Sequence, residues 1–399
     1  MKNLINVGWM FLMQILVYPI QLLIIPYLIH NLGVDSYGSY VVYLAIVGVL
    51  MPFIDFGTSI SLQVGFLHLD REGKQQLISE LIGFKLSIVL VIIIVISLLI
   101  LIFDSFSWSI FGLFGWVIYA IYSSDFYFLA ELKNKNLFLR QFYQKCSFFS
   151  VVFLLLFLFN AVETVLLSLS VSYLIVTVYT IKDISRDGYH VFPIFSTKSI
   201  RNILKNNLLY FANNFATVGY NSINTYFIQT SLGSMAIGRF SILESVNRAC
   251  LSLITSVNSV LFPLLSKETN KKLFLKFLMI VPAYLIIAAV IYLNRKYIFL
   301  FFKIDRIEDS TVLIMLTVLC LDALSRFLGY NFLGAIGKGN IVNVTNLIGL
   351  ASYVPVYFIL KLNVIWEKDF NLFATTYLIS IIIVLSMRVY YNIKYFKKI

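Results

Sequence analysis

Two pairs of opposite charge lie inside otherwise apolar sequence. Glu244 and Arg248 are four residues apart, and so are Asp322 and Arg326. In each pair the acid comes first, the better order for a contact on one helix face. A charge at bilayer depth costs about 2.5–3.5 kcal/mol even on insertion scales, and pairing offsets part of that. Two readings stay open. The groups line a cavity and meet a polar or anionic substrate, or they are neutralised pairs that hold helices together.

Other polar residues join them. Ser241, Glu244, Ser245, Arg248, Ser252, Thr255 and Ser259 follow one another by steps of three, one, three, four, three and four, which makes a single helical stripe. Asn213, Asn214, Thr217, Asn221 and Asn224 form a similar one. Gln14, Tyr18 and Gln21 add to the set near the N-terminus, and Asn343 and Asn346 near the C-terminus. Such stripes face helices or water, not lipid. Lys85 is about one turn into an apolar run, where a lysine snorkels to the interface or stands at the mouth of a cavity. Asp55 and Asp125 lie near span ends and read as solvated.

No motif for covalent chemistry accompanies these residues. The sequence lacks G-x-x-x-x-G-K-[ST], H-E-x-x-H and G-x-S-x-G. Cys146, Cys250 and Cys320 and the three histidines show no metal spacing, so neither a metal site nor a disulfide framework is expected.

The elements that carry the polar stripes must be membrane helices. Of 399 residues, 60% are hydrophobic and only 13% charged, with mean hydropathy +0.89. A soluble domain carries about 25% charged residues. Val89 to Ile102 is nearly all aliphatic and does not alternate, which selects helices over a barrel. The fold class expected is an all-α polytopic membrane protein of about 12 transmembrane helices, in two six-helix lobes around a central cavity.

The first six spans are placed at Ile5–Leu28, Tyr37–Phe56, Leu81–Phe103, Trp108–Ala130, a short Phe148–Asn160, and Thr164–Ile181. The second six are placed at Leu208–Ile228, Phe240–Leu261, Phe277–Phe299, Val312–Asn331, Ile341–Leu360 and Phe370–Tyr390. The division expected is an N-terminal lobe, 1–181, a connecting loop, 182–207, and a C-terminal lobe, 208–399. The net charge of +12 is read as a topology signal, with no nucleic acid as partner. With the N-terminus inside, basic loop residues favour the inner side about threefold, and both termini are cytoplasmic. Arg140 and Arg388 are counted there as inner-side charges.

The halves read as a repeat. Leu32-Gly33-Val34-Asp35-Ser36-Tyr37-Gly38 and Leu232-Gly233-Ser234-Met235-Ala236-Ile237-Gly238 share L-G-x-x-x-x-G at an offset of 200. Phe128-Leu129 echoes Phe332-Leu333. An even number of spans per repeat implies a parallel duplication with a site between the halves. The charged pairs are not repeated: Arg248 maps to Gly48 and Glu244 to Leu44.

Ile24-Ile25-Pro26-Tyr27-Leu28 with Leu32-Gly33 and Tyr37-Gly38 resembles the first-loop signature of the polysaccharide flippases, O-antigen and exopolysaccharide transporters of the multidrug/oligosaccharidyl-lipid/polysaccharide exporter superfamily. Phe53-Ile54-Asp55-Phe56-Gly57 is similar to that family's segment ending span two. Leu232-Gly233 through Gly238, with Phe262-Pro263-Leu264-Leu265-Ser266, is similar to its span seven to eight region. The resemblance implies two lobes in a V around a cavity, and translocation of an undecaprenyl-diphosphate-linked oligosaccharide, such as an O-antigen repeat unit, from the cytoplasmic to the outer leaflet of the bacterial inner membrane. It implies no enzyme activity and no cofactor beyond proton or sodium coupling. Implied partners are the lipid-linked substrate, membrane lipid, and a polymerase and chain-length regulator of the same pathway. Arg248, Arg326, Asn221, Asn224 and Lys85 are the matching substrate-binding candidates, and Glu244, Asp322 and Asp125 the ion-coupling candidates. In the first half only Lys85 is a basic residue near a span. A multidrug or small-solute exporter on the same fold and, with less support from its short outer loop Asn294 to Ser310, a membrane polysaccharide polymerase are the alternatives.

Overall fold

A computed structural model describes residues 8–9, 12, 16–103, 112–267, 280–305, 307–362 and 369–396. The start of the first span with Gln14, the junction of spans three and four, the start of span nine, and the basic residues Lys2, Lys271, Lys272, Lys276, Arg306, Lys368, Lys397 and Lys398 lie outside them.

The described chain is helical. In order, the helices are α1 Tyr18–Asp55, α2 Thr58–Leu67, α3 Arg71–Phe103, α4 Phe114–Tyr122, α5 Asp125–Ala130, α6 Asn134–Leu158, α7 Val162–Arg186, α8 Thr197–Leu232, α9 Ser234–Lys267, α10 Ile280–Leu293, α11 Arg295–Phe302, α12 Asp309–Arg326, α13 Gly339–Lys361 and α14 Phe370–Phe396. A π-helical stretch, Phe327–Gly334, continues α12. Among the described residues, seven helices are long and apolar enough to cross a membrane, or eight if the bent pair α10–α11 is one span. The chain is thus a multi-pass all-α membrane protein, and the count of 12 is not reached by length and hydropathy. The expected spans seven and eight, α8 and α9, are not among those counted; in α8 the asparagine stripe dilutes the hydropathy.

Several spans differ from expectation at helix breaks. The expected fourth span is two helices separated at Ser123 and Ser124, and the ninth bends by 65° at Asn294. The fifth is not short: α6 begins at Asn134 and draws Lys135, Arg140 and Lys145 out of the loop into the helix. A short apolar helix, α2, occupies sequence read as loop.

Two compact units make up the chain, and each is discontinuous. The first holds the described residues up to Val17 with Ile46–Phe215, and the second holds Tyr18–Ala45 with Ala216–Ile399. Their membership therefore departs from a division at residues 181 and 208. Packing within the second unit gives the reason. The two L-G-x-x-x-x-G segments cross there: a methyl added at Gly38 would stand 1.8 Å from the Ser234 carbonyl oxygen, and one at Gly238 would stand 2.3 Å from that of Val34. Each copy thus touches the counterpart of its own contact residue. Gly33 and Gly233 have φ of 80° and 83°, a left-handed conformation that glycine reaches without steric cost. The spans bearing the second echo end alike as well. Lys133 N–H donates to Phe128 O at 2.8 Å and Lys338 N–H to Leu333 O at 2.8 Å, a six-to-one closure, with φ of 54° at Leu132 and 75° at Gly337.

Candidate functional site

In the first unit, α1 ends at Asp55 because Phe56 and Gly57 both turn left-handed, with φ of 46° and 73°. A side chain at Gly57 is excluded, since its Cβ would lie 2.5 Å from that of Tyr210. The turn points Asp55 back at the start of α2, where its carboxylate accepts from Ser59 Oγ at 2.6 Å and Thr58 Oγ1 at 3.1 Å. Its other carboxylate oxygen accepts from Ser59 N–H at 3.4 Å, a backbone donor of the new helix end. The family-like segment 53–57 thus ends one helix and joins it to the next.

Lys85 on α3 lies 3.5 Å from Asp55 and is fully buried. Its ammonium also donates to Ser123 O at 2.6 Å and Ser123 Oγ at 3.1 Å. The break between α4 and α5 leaves the Ser123 carbonyl free to accept, so the lysine fills a gap in the helical ladder. Both expectations for this pair are corrected. Lys85 does not snorkel, and Asp55 is not solvated but 5% exposed. Asp125, partly exposed, holds Arg140 of α6. Arg140 is 1% exposed and lies over the rings of Phe128 and Tyr119, at 5.1 and 5.9 Å. The first half therefore buries two cations, Lys85 and Arg140, and not Lys85 alone. Asp55, Asp125 and Arg140 are all near enough to act on the Lys85 charge. Two cations against two carboxylates leave the cluster neutral.

At the rim of this unit, outside the spans, Asp187 accepts from Lys133 and Tyr127. Burial acts to raise its carboxyl pKa, but these hydrogen bonds and the lysine charge outweigh it and hold the group below the ordinary value.

The second unit holds two further groups. Glu244, 5% exposed on α9, accepts from Asn224 Nδ2 of α8 at 2.8 Å, and Tyr353 OH of α13 donates to Asn224 Oδ1 at 2.5 Å. Arg248 does not take the partner expected from its spacing. It is exposed and donates to Ser245 Oγ at 3.0 Å. Asn221 is half-buried one turn before Asn224, and its carbonyl accepts from Thr225.

Asp322 and Arg326 do pair. Arg326 Nε donates to both carboxylate oxygens at 3.1 Å, and Asp322 is 6% exposed. They line a cavity of about 100 Å³ with Tyr220, Asn346, Tyr377 and Arg388. Arg388, counted from sequence as an inner-side charge, is instead 3% exposed. It donates to Ser325 O at 2.8 Å, Ser325 Oγ at 2.9 Å, Thr345 Oγ1 at 3.1 Å and Asn346 Oδ1 at 2.6 Å. The π-helical stretch makes room for it: a Cβ at Gly329 would be 3.1 Å from the guanidinium carbon. π-Bulges of this kind are frequent at functional sites. One carboxylate faces two guanidiniums across this cavity, so the lining is net positive. Tyr220 joins both groups, with ring centroids 4.8 Å from Tyr353 and 4.7 Å from Tyr377.

The structure therefore gathers Asn224, Glu244, Asp322 and Arg326 in the second unit, and Lys85 and Asp125 in the first. Arg140 and Arg388 were missed as site residues because a basic residue in an expected loop, as Arg140 was, or at an expected span end, as Arg388 was, reads as a loop charge. The signal available for Arg388 was its position among Thr375, Thr376, Ser380 and Asn392 on the last helix.

This architecture is all-helical among the described residues. The chain is similar to a multidrug resistance MATE family transporter of the MOP superfamily, in its inward-facing conformation (TM-score 0.70, 13% identity, covering 95% of this chain and 94% of that one) and its outward-facing conformation (0.69, 13%, 97% and 94%). It is similar also to a MATE transporter of Vibrio cholerae (0.64, 13%, 98% and 97%). The model of the family described as "Polysaccharide biosynthesis protein" matches residues 4–269, and the chain belongs to that family. A search of the curated proteins finds no match.

Proposed function

We propose that this protein is a flippase that carries an undecaprenyl-diphosphate-linked oligosaccharide, an O-antigen or similar repeat unit, from the cytoplasmic to the outer leaflet of a bacterial inner membrane by alternating access. The family supports a role in polysaccharide biosynthesis, and the fold supports export. The observation that carries the reading is the net-positive cavity of Asp322, Arg326 and Arg388 within apolar helices. Guanidiniums suit a diphosphate because their planar fork donates two parallel hydrogen bonds to it. A sugar head group loses water without replacement in hydrocarbon, and tyrosine, asparagine and serine groups of the second unit offer hydrogen bonds in exchange. Arg248, Arg326, Asn221 and Asn224 are the substrate-binding residues of this proposal, and Glu244 and Asp322 its proton or sodium carriers; Lys85 and Asp125, taken up in the neutral cluster of the first unit, are given a fastening role instead. Its partners are the polymerase and chain-length regulator that use the flipped unit, and both its termini are cytoplasmic.

The test is deletion of the gene in its own host, followed by assay of surface polysaccharide and lipid-linked repeat units. Loss of surface polymer with repeat units accumulating on the cytoplasmic face is the expected result. Repeat units that reach the outer face unpolymerised would replace the flippase by a polymerase. No change in either would leave a small-solute exporter on this fold.

A further inference from the structure

The chain between the two halves of the sequence is built against α3. Gln75 donates to His190 O at 2.8 Å and accepts from His190 N–H at 2.7 Å, and Ile194 N–H donates to Ser79 O at 3.0 Å. Gly83 is needed there, since its Cβ would stand 2.1 Å from Ile194 O. Ser196 then starts α8, its hydroxyl accepting from Ser199 N–H at 3.2 Å.

The first turns of α8 have two faces. Ile203 and Asn207 are buried against the first unit. The other face bears the exposed Leu204 and Leu208 with Arg201 and Lys205 beside them and Lys198 a turn earlier, and Ile200, half-buried against the core of the unit, lies along its edge. A cleft of about 530 Å³ runs along it, lined by Thr197, Ile200, Arg201, Leu204 and Lys205. The preceding loop exposes Phe192, Ile194 and Phe195, at 73, 48 and 60%. From Gly188 to Leu243 the sequence has no carboxylate.

We infer that this cleft is a seat for an acidic phospholipid of the adjoining leaflet, with Arg201 and Lys205 on the phosphate and an acyl chain along Ile200, Leu204 and Leu208. An apolar stripe flanked by cations is what an anionic amphiphile needs: a soluble phosphate would leave the stripe wet, and an uncharged lipid would leave the cations unmatched. The exposed aromatic loop enters the same interface, where amphipathic and aromatic groups settle. The inference stands whether or not the protein is a flippase.

The full-length protein is placed in phosphatidylcholine vesicles doped with phosphatidylglycerol that carries a photoreactive group on one acyl chain. Labelled peptides are mapped by mass spectrometry. Label concentrated in residues 197–208, absent with the matching phosphatidylcholine probe, is the expected result. R201Q/K205Q should lower it by roughly 30-fold, on the order of fivefold per cation, while R201K/K205R retains it. Equal labelling by phosphatidylcholine, or unchanged labelling in folded R201Q/K205Q, would overturn the seat. If that variant is not recovered folded, the comparison of the two probes on the wild-type chain decides. Displacement of phosphatidylglycerol by traces of a polyprenyl diphosphate would overturn it too, since the cleft would then belong to that lipid.

Discussion

Both compact units bury ionisable groups, but they balance them differently. In the first, Asp55, Lys85, Asp125 and Arg140 sum to zero, and the Lys85 ammonium is held by Asp55, the Ser123 carbonyl and the Ser123 hydroxyl. In the second, Asp322 shares a cavity with Arg326 and Arg388. A neutral cluster joined to helix breaks acts as a fastening: it satisfies the Ser123 carbonyl that α4 leaves open at its end and the Ser59 N–H at the start of α2. A net-positive cavity has capacity for an anion. Buried charge alone thus does not mark a transport site, and its balance against neighbouring charge is the more informative quantity.

The comparison breaks most sharply at Lys85. Lys85→Ala strands the Asp55 carboxylate, and stability should fall by about 3–5 kcal/mol in thermal unfolding of the purified protein. K85M/D55L should recover most of that loss and keep transport. A double variant that is stable but inactive would move the first cluster from fastening to function. The crossing of the repeats comes next. Gly38→Ala forces a methyl against the Ser234 carbonyl and should cost about 1–3 kcal/mol, read as a lowered yield of monodisperse protein and a lower Tm. Arg326→Gln leaves Asp322 an amide donor and the Arg388 charge across the cavity, so it should lower Tm less than Lys85→Ala does, yet reduce transport by about 10- to 100-fold, the worth of one charge-assisted hydrogen bond. Full transport by that variant would remove the functional half of the contrast. The smallest effect belongs to Asp187→Asn. The folded carboxyl titrates below its unfolded value, so its contribution is present above about pH 4 and fades as pH falls through the folded pKa. The side chain is 34% exposed, which limits the loss at neutral pH to about 1 kcal/mol or less. In the variant, the acid side of the stability profile should be flatter.

Local patterns carried the sequence reading furthest. Asp322 and Arg326 are one helical turn apart, and they meet. The repeat was visible in Gly33 and Gly233 because a left-handed backbone leaves few residue choices. Glu244 and Arg248 have the same spacing as Asp322 and Arg326, but Asn224 from another helix took the carboxylate, a competition that spacing cannot register. Lys85 and Asp55 are 30 residues apart and Ser123 a further 38, so only tertiary packing joins them. Arg140 and Arg388 were hidden by the same rule that orients membrane proteins. Counting basic residues at span ends assumes that they are wet, and these two are among the most buried side chains of the molecule.

The reciprocal contact of Gly38 with Ser234 and of Gly238 with Val34 has a bearing on ancestry. After a gene doubles, most positions of the two copies are free to drift apart, as the unshared charges here have done. A position that touches its own twin is not, because a larger side chain in either copy strikes the other. Such a self-facing seam preserves resemblance between the halves after it has faded elsewhere. The L-G-x-x-x-x-G likeness of the two halves survives at such a seam.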